Sequence, residues 1–579
     1  MAQIEIHKTK KQSKKWLITG IVCCLLLVFS SIILLLYPFA SEEKKTYFNG
    51  QFPILFKGQQ QANALVEGNS LFVPLAFLQE QIDQSILYDE KSKSMIITTK
   101  SKVVQMPTDS LTYFVNDAPV DLQLSPIISR DGRIFVALDA ILPFYGIQYE
   151  KLPDSGAILI QADGDQFISA RVIENDINKE KLRLRTGASW QTPYVTEMKP
   201  KEAVTIEGEK DDFYFVRKAN GIGGYLKKEY ITKGEPVKIT INREIETTQA
   251  PKMNGPIHLT WEAVYTKNPN SAKIPDMAGV NVVSPTWFSL AGADGSIKSL
   301  ASLEYSKWAQ GKGYQVWGLF SNSFDPELTH DALKDFESRK NIIQLLLTFS
   351  QMYQLNGINF DIENVYPEDG RLVTQLMREA VPYLHKAGLI VSMDITFAAG
   401  ENNNWSSFYN RPMLAEIVDY LVVMAYDEHT KATGPGSVSS LPWVENNLQR
   451  LLKDVPKEKL ILGVPLYARL WKEQTGADGN VEVSSIAMSM DKVKAWLTEK
   501  SVQSSYDPES GQNYAEYLDQ GENATYKIWI EDEMSLKKRA DLSMKYELAG
   551  VASWSRLFGD QTAWTALNLI PDQIVTQND

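Results

Sequence analysis

Residues Leu355–Asn364, LNGINFDIEN, hold two carboxylates that stand two residues apart. Side chains of a β-strand alternate between its two faces, so Asn359, Asp361 and Glu363 would share one face. The hydrophobic residues between them would point the other way, toward a covering helix. A strand with one polar and one apolar face suits the fourth strand of a (β/α)8 barrel. Glu363 would then lie at the strand's carboxyl end, where such barrels place their chemistry.

The chain from residue 256 to the end alternates strand-like with helix-like segments, which predicts a parallel sheet. Eight strands in residues 256–579 match the size of a (β/α)8 barrel with insertions. The predicted strands are Ile257–Trp261, Val280–Pro285, Tyr314–Leu319, Gly357–Ile362, Ile390–Ile395, Tyr420–Ala425, Leu460–Val464 and Gly550–Trp554.

The fourth strand resembles the DGxDxDxE signature of glycoside hydrolase family 18, the chitinase-like enzymes. Gly357, Asp361 and Glu363 match the signature, whereas Asn356 and Asn359 replace its two earlier aspartates. That replacement resembles the cell-wall and spore-cortex N-acetylglucosaminidase branch of the family.

Three later segments also resemble motifs of the family at strand ends. They are Val423–Asp427 on the sixth strand, Leu462–Arg469 on the seventh and Gly550–Trp554 on the eighth. The stretch Gly479–Ile530 resembles the small inserted α+β subdomain of some members. Four motifs in the right order carry more weight than one pair of carboxylates, because such pairs occur by chance.

The resemblance implies a substrate-assisted reaction, in which the sugar's 2-acetamido oxygen attacks the anomeric carbon and one protein acid suffices. Glu363 would be that acid and later the base that activates water. Asp361 would orient the acetamide and stabilise the oxazolinium intermediate. Tyr426 would hydrogen-bond the acetamide oxygen, and Trp554 would form an aromatic floor under the sugar. The implied substrate-binding positions are Trp554, Asp427, Tyr467, Arg469 and Asn359.

Structural interpretations of the same residues stay open. Asp361 and Glu363 could be a charge pair at the barrel mouth, Trp554 could belong to the core, and Asp427 and Arg469 could form a salt bridge. Where typical chitinases have an aspartate that shares a proton with the residue at 361, Asn359 can only hydrogen-bond Asp361. The charge balance around Glu363 therefore differs from theirs.

The N-terminus predicts a membrane anchor. Five lysines precede Trp16, and no charged residue appears from Trp16 to Ser41, which exceeds the roughly 20 residues that span a bilayer. The basic flank predicts a cytoplasmic tail at 1–15, a single-pass helix at 16–40 and an extracellular remainder. A cleaved signal peptide, which has a shorter apolar core, is the alternative.

Residues 46–163 contain an internal repeat, since Leu71–Leu75 recurs as Ile134–Leu138, 63 residues later. Each copy continues into a helix-like stretch and then a strand. The region resembles the small N-terminal domain of copper amine oxidases. We interpret it as a spacer or wall-binding module, and a purely structural α+β domain is an equal alternative.

Residues 168–232 alternate short strands with glycine and Asp/Asn turns, which predicts a small barrel, and they resemble a bacterial SH3-like domain. Trp190, Phe213 and Tyr214 could bind cell-wall peptide or could be core. Residues 233–255 are polar with scattered Pro and Gly, and they read as a linker.

Composition excludes several functions. The net charge is −12, and the acidic balance argues against nucleic-acid partners, which need a basic footprint. The only cysteines, Cys23 and Cys24, are adjacent within the apolar run, and the five histidines show no ligand spacing. No metal and no cofactor is expected.

The sequence therefore predicts a membrane-anchored extracellular glycosidase that cuts β-1,4 bonds beside N-acetylglucosamine in peptidoglycan. The wall would be a partner through the SH3-like domain, and the membrane through the helix. A chitinase or chitooligosaccharidase is the alternative enzyme, and a non-catalytic glycan-binding wall scaffold is the alternative of another class. The presence of both Asp361 and Glu363 favours an enzyme.

Overall fold

The computed structural model describes residues 13–36, 40–174, 177–242, 250–476 and 478–569. It divides into two compact units. The N-terminal unit comprises Met1–Gln84 with Leu124–Glu244, and the barrel unit comprises Ser85–Gln123 with Ile245–Asp579.

The N-terminal unit begins with the apolar helix Ser13–Leu36. Within the described residues, this is the one helix long and apolar enough to cross a membrane. Its window Trp16–Ile33 has a mean hydropathy of 2.5, and none of it is buried. Length and composition alone do not separate an anchor from a signal sequence.

The two copies of the repeat pair with each other. Strands Ser70–Pro74 and Arg133–Ala137 are antiparallel neighbours, with Val73 opposite Val136. A short helical segment follows each strand, as the repeat predicted. The strands of this part are Pro53–Phe56, Gln59–Asn63, Leu65–Glu67, Ser70–Pro74, Ile127–Arg130, Arg133–Ala137, Ile147–Lys151 and Ile158–Ala162, and the helical segments are Leu75–Phe77, Leu78–Ile82 and Leu138–Ile141.

A seven-stranded antiparallel sheet completes the N-terminal unit. Phe213 and Tyr214 are buried, and Trp190 packs edge-on against Phe213, so these aromatic residues belong largely to the core. The last strand runs on to Lys238, so the irregular segment predicted from residue 233 starts later. In spatial order the strands are Tyr194–Glu197, Arg183–Arg185, Gly223–Lys227, Phe213–Lys218, Ala203–Lys210, Gln166–Val172 and Ile231–Lys238, and the 3-10 turns in this part are Lys179–Leu182 and Lys228–Tyr230.

The segment after the apolar helix is tied to this sheet. The Ser41 N–H donates to the Trp190 carbonyl oxygen, and the Lys45 N–H donates to that of Tyr194, both at 2.8 Å. Lys44 forms a parallel bridge with Tyr194. The chain therefore makes its first contact with this sheet only a few residues beyond the end of the helix.

Eight parallel strands close into a barrel in the barrel unit, because the first strand pairs with both the second and the eighth, and the second also pairs with the third. The predicted (β/α)8 fold is thus confirmed. Barrel strands one to eight are Ile257–Glu262, Val282–Pro285, Gln315–Ser321, Gly357–Asp361, Ile390–Thr396, Tyr420–Met424, Leu460–Pro465 and Gly550–Trp554.

Helices cover the outside of the barrel and bury its outward-facing residues, such as Ile358 and Phe360 on strand four. A Cβ atom on Gly357 would lie 2.7 Å from the Ile390 carbonyl oxygen, so this signature glycine lets strands four and five approach closely. The helices of this unit are Leu303–Gly311, Pro326–Leu333, Phe336–Tyr353, Gly370–Lys386, Arg411–Ile417, Leu441–Leu451, Met490–Lys500, Glu533–Lys545 and Gln561–Ala566. A strand hairpin, Phe288–Leu290 with Ile297–Ser299, and four 3-10 turns, Ser271–Lys273, Pro367–Asp369, Lys457–Lys459 and Arg556–Phe558, complete it.

An inserted α+β subdomain follows barrel strand seven, as predicted, although it begins at Tyr467 rather than near Gly479. Five antiparallel strands pack on helix Met490–Lys500 through Val493, Trp496 and Ile528. The strands are Tyr467–Thr475, Val481–Ser489, Ser505–Asp507, Gln512–Asp519 and Ala524–Ile530.

A second sheet joins the barrel from an earlier part of the chain. Asp89 accepts a hydrogen bond at 2.8 Å from the N–H of Phe336, the first residue of a barrel helix. Ile96 and Val103 pack on the Phe336 ring. Its strands are Leu87–Asp89, Ser94–Thr98, Val103–Pro107, Thr112–Val115 and Ala118–Asp121.

Candidate active site

Asp361 and Glu363 lie at the carboxyl end of barrel strand four. Asp361 is the last residue of the strand and is 7% exposed, whereas Glu363 follows it in the loop and is half-buried. One oxygen of Asp361, Oδ1, is buried without a hydrogen-bond partner. The alternation predicted from the sequence therefore places both carboxyl groups at the barrel mouth.

Asn359 lies one step deeper on the same face and is fully buried. Its Oδ1 accepts hydrogen bonds from Trp261 Nε1 at 2.9 Å and Ser284 Oγ at 3.1 Å. Its Nδ2 donates to Ser392 Oγ at 3.1 Å and to Asp394 Oδ1 at 2.8 Å. These four bonds use the full capacity of the amide. The expected bond from Asn359 to Asp361 is therefore replaced by one to Asp394.

Asp394, on barrel strand five, is a third acid in the cluster and is only 1% exposed. The sequence analysis missed it. Its signal was available, because Ser392 and Asp394 alternate with apolar residues in the strand IVSMDIT. The pattern matches none of the family motifs named above. The contact between Asp394 and Asn359 on the neighbouring strand cannot be predicted from one sequence.

Two further residues hold the loop that carries Glu363. Asn322, after barrel strand three, accepts from the Glu363 N–H at 3.0 Å and donates to its carbonyl oxygen at 2.7 Å. The buried Tyr409 hydroxyl donates to the Ile362 carbonyl oxygen at 2.8 Å. The Glu363 backbone is thus fixed, while its carboxyl group makes no hydrogen bond to the described protein.

The surroundings of Asp361, Glu363 and Asp394 disfavour negative charge on their carboxyl groups. None of the three forms an ion pair within the described ranges, so burial favours their neutral forms. Burial and the neighbouring Asp394 raise the pKa of Asp361. Burial, and the added charges of Asp361 and Asp427, raise the pKa of Glu363 well above that of an ordinary glutamate. Glu363 can therefore hold a proton at a pH where a free glutamate has lost it.

Aromatic residues surround the carboxyl groups at the mouth. Trp554, at the end of strand eight, is half-buried and tilts against Trp261, with ring centroids 5.9 Å apart. Tyr426, after strand six, packs in the same inner cluster, and burial raises the pKa of its hydroxyl. Tyr426 can therefore donate a neutral hydroxyl hydrogen bond at ordinary pH.

Asp427, Tyr467 and Arg469 form a connected group beside the cluster. Asp427 Oδ1 accepts from the Tyr467 hydroxyl at 2.6 Å and from Arg469 Nη2 at 2.8 Å. This is the salt bridge that the sequence left open as an alternative. Arg469 Nε is buried without a partner, so the group also has one unused hydrogen-bond donor.

Enzymes with a (β/α)8 barrel carry their active sites at the carboxyl-terminal mouth, and buried acids beside aromatic rings at that mouth suit a glycosidase. Comparison with known proteins supports this class. Residues 320–559 match the family described as glycosyl hydrolases family 18. The matched part of the barrel is therefore a glycosyl hydrolases family 18 domain, and the chain is a glycoside hydrolase. Residues 55–160 match the copper amine oxidase N-terminal domain.

Several known proteins are similar to this chain. The uncharacterized glycosylase YvbX of Bacillus subtilis is 25% identical over 47% of this chain and 80% of its own length. The cortical fragment-lytic enzyme of Bacillus subtilis is 25% identical over 44% of this chain and 58% of its own length. The crystal structure of a chitinase from Chromobacterium violaceum superposes with a TM-score of 0.49 at 20% identity, over 54% of this chain and 98% of its own.

Proposed function

We propose that this chain is a membrane-anchored glycosidase that works outside the cell and cleaves β-1,4 bonds beside N-acetylglucosamine in peptidoglycan. The proposal rests on the different surroundings of the three acids, Asp361, Glu363 and Asp394. Asp361 and Asp394 are buried, whereas Glu363 is only half-buried, its carboxyl group makes no hydrogen bond to the described residues, and its pKa is raised. One accessible acid suits a reaction in which the substrate supplies the nucleophile.

The family resemblance assigns the roles, and the positions of the side chains support them. Glu363 donates its proton to the leaving oxygen and takes one from the attacking water. Asp361 orients the acetamide N–H. Tyr426 hydrogen-bonds the acetamide oxygen, and Trp554 lies under the sugar. Asp427, with Tyr467 and Arg469, binds flanking groups.

One of the similar proteins and the apolar N-terminal helix support peptidoglycan as the substrate. The relative named cortical fragment-lytic enzyme agrees with the asparagines at 356 and 359, which resemble the spore-cortex branch. The apolar helix supports an anchor, and the seven-stranded sheet, as an SH3-like module, supports contact with the wall close to the membrane.

Digestion of purified peptidoglycan by the full-length protein in detergent tests the proposal. Reduction of the products followed by mass spectrometry identifies the sugar at each new reducing end, and we expect N-acetylglucosamine. Chito-oligosaccharides serve as the parallel substrate. A kcat/KM that is much higher on chito-oligosaccharides would favour a chitooligosaccharidase, and binding of both glycans without cleavage would favour a scaffold.

Protease protection tests the topology. Because lysines precede Trp16 and none follow until Lys44, we expect protease added to intact cells to remove the bulk of the chain. A cytoplasmic protein measured in the same cells must stay intact. Full protection of the barrel would contradict an extracellular site, and release of a shortened chain into the medium would identify a cleaved signal.

A further inference from the structure

The end of barrel strand eight is held differently on its two sides. On the side of strand seven, the pairing continues to Trp554, which lies opposite Pro465, and the Leu466 N–H donates to the Trp554 carbonyl oxygen at 2.8 Å. On the side of strand one, the pairing ends earlier, with Thr260 opposite Ser553. Within the described residues, backbone pairing therefore joins Trp554 to strand seven but not to strand one.

A buried ion pair connects strand one with the chain just beyond Trp554. Glu262 is the last residue of strand one and is 1% exposed. Arg556 Nη2 donates to Glu262 Oε1 at 2.9 Å, and Arg556 Nε donates to Glu262 Oε2. The Tyr305 hydroxyl also donates to Glu262 Oε2, at 3.3 Å. Because the pair is bidentate, it fixes the orientation of both side chains as well as their distance.

Glu262 faces away from the inside of the barrel. Trp261 belongs to the inner cluster together with Trp554, and successive side chains of a strand alternate, so Glu262 points to the outer face, toward Tyr305. The Trp261 and Trp554 rings meet on the inner face, with centroids 5.9 Å apart. The ion pair and the ring pair therefore join the same two strand ends from opposite faces, and Glu262 can act on a bound sugar only through the chain it holds.

We propose that Glu262 is a positioning residue that holds the Trp554 ring in place through Arg556. The guanidinium group, fixed by both oxygens of Glu262, sets the path of the chain as it leaves strand eight. That path sets the angle of the Trp554 ring against Trp261. The kinetic consequence rests on the proposed function, in which Trp554 lies under the sugar, whereas the placement of the ring does not.

The barrel unit offers a matched control pair. Arg339 and Glu379 have side chains that are 0% and 1% exposed, and they are also joined by two hydrogen bonds, of 2.8 and 2.9 Å. This pair connects the helices Phe336–Tyr353 and Gly370–Lys386. Neutralising the glutamate of either pair leaves a buried arginine unpaired and should lower the melting temperature. An effect on Trp554 should appear in one pair only.

A spectroscopic measurement tests the ring placement without substrate. Full-length protein in detergent is labelled with 5-fluorotryptophan, and the ¹⁹F resonance of Trp554 is assigned by its loss in Trp554→Phe. We expect Glu262→Gln to shift or broaden that resonance, because the neutral amide no longer holds Arg556 by charge. The resonance of Trp496, in the inserted subdomain, should stay in place. Glu379→Gln should leave the Trp554 resonance unchanged.

Kinetics test whether Glu262 acts through the ring. On a chromogenic chito-oligosaccharide, well below the lowest melting temperature of the set, we expect Glu262→Gln to lower kcat/KM by about 10²-fold, the effect of a misplaced substrate-binding group. Glu379→Gln should keep the native value. In a Trp554→Ala background, adding Glu262→Gln should change kcat/KM by less than about twofold, because the ring it positions is already gone. Glu262→Asp, which keeps the charge on a shorter side chain, should fall between Glu262→Gln and native.

Failure of this inference and failure of the proposed function give different results. If the native chain cleaves no N-acetylglucosamine substrate, the proposed function fails, and the ¹⁹F resonance alone decides on Glu262. A Trp554 resonance that is unchanged in Glu262→Gln overturns the inference. So does a double variant whose loss is the product of the two single losses, because Glu262 would then act independently of the ring. Should Glu262→Gln not fold, the same measurements on Glu262→Asp decide, with a smaller shift expected.

Discussion

Glu363→Gln is expected to lower kcat by about 10²–10⁴-fold while KM changes little. The amide keeps the size of the side chain but has no transferable proton. The backbone of residue 363 stays held by Asn322 at 3.0 and 2.7 Å, so the loop keeps its place. Trp554 and Tyr426, which the proposed function assigns to sugar binding, are unchanged.

The matched control is Glu458→Gln, the same change on an exposed glutamate in the turn before barrel strand seven. That turn lies at the amino end of the strand, on the side of the barrel away from the mouth. Glu458→Gln should therefore leave kcat and KM at native values. Near-native turnover by Glu363→Gln would show that the acid lies elsewhere and would end the proposed mechanism.

The pH dependence of the native enzyme follows from the same residue. The acid must be protonated before it can donate, and burial with the nearby charges of Asp361 and Asp427 raises the pKa of Glu363. Activity should therefore persist above the ordinary glutamate pKa and fall as pH rises through the raised value. The residual activity of Glu363→Gln should lack this basic limb.

The barrel and the acid on strand four could be predicted because their signals are local. Alternation within Gly357–Asp361, and a glycine followed by Asp361 and Glu363, are visible in one short stretch. Strand bounds then differ from the prediction by only one or two residues, as at Gln315–Ser321, which was expected at Tyr314–Leu319.

What the sequence could not supply is the register between strands. Asn359 was expected to bond Asp361 on its own strand, but its amide crosses to Asp394 on the next one. Asn322 follows the neighbouring strand three, outside any recognised motif, and holds the Glu363 backbone. Such partners are 35 and 41 residues distant in the chain, and only folding brings them together.

The same limit applies to the sheet of Leu87–Asp121. The repeat in the sequence places it within one domain at 46–163, yet its residues Ser85–Gln123 group with the barrel. Asp89 meets the first N–H of the helix that starts at Phe336. A contact between segments nearly 250 residues apart leaves no periodic signal in either of them.

A substrate that lacks the 2-acetamido group should not be cleaved. In the proposed mechanism the acetamide oxygen is the nucleophile, and a well-placed intramolecular nucleophile is worth effective molarities of about 10⁵–10⁸ M. Replacing the acetamide of a chromogenic substrate by a hydroxyl group should therefore reduce kcat/KM by more than about 10⁴-fold. The leaving group is unchanged, so the acid chemistry of Glu363 is the same for both substrates.

A thiazoline analogue of the cyclic intermediate provides the control for binding, because it should inhibit cleavage of the acetamido substrate competitively. Cleavage of the hydroxyl substrate at a comparable rate would instead require a nucleophile from the protein. Asp361 is the candidate, because it is the other acid of strand four at the barrel mouth. A 2-fluoro sugar would then trap a covalent ester on Asp361. With the acetamide as nucleophile, no such adduct forms, and mass spectrometry of the treated protein separates the two mechanisms.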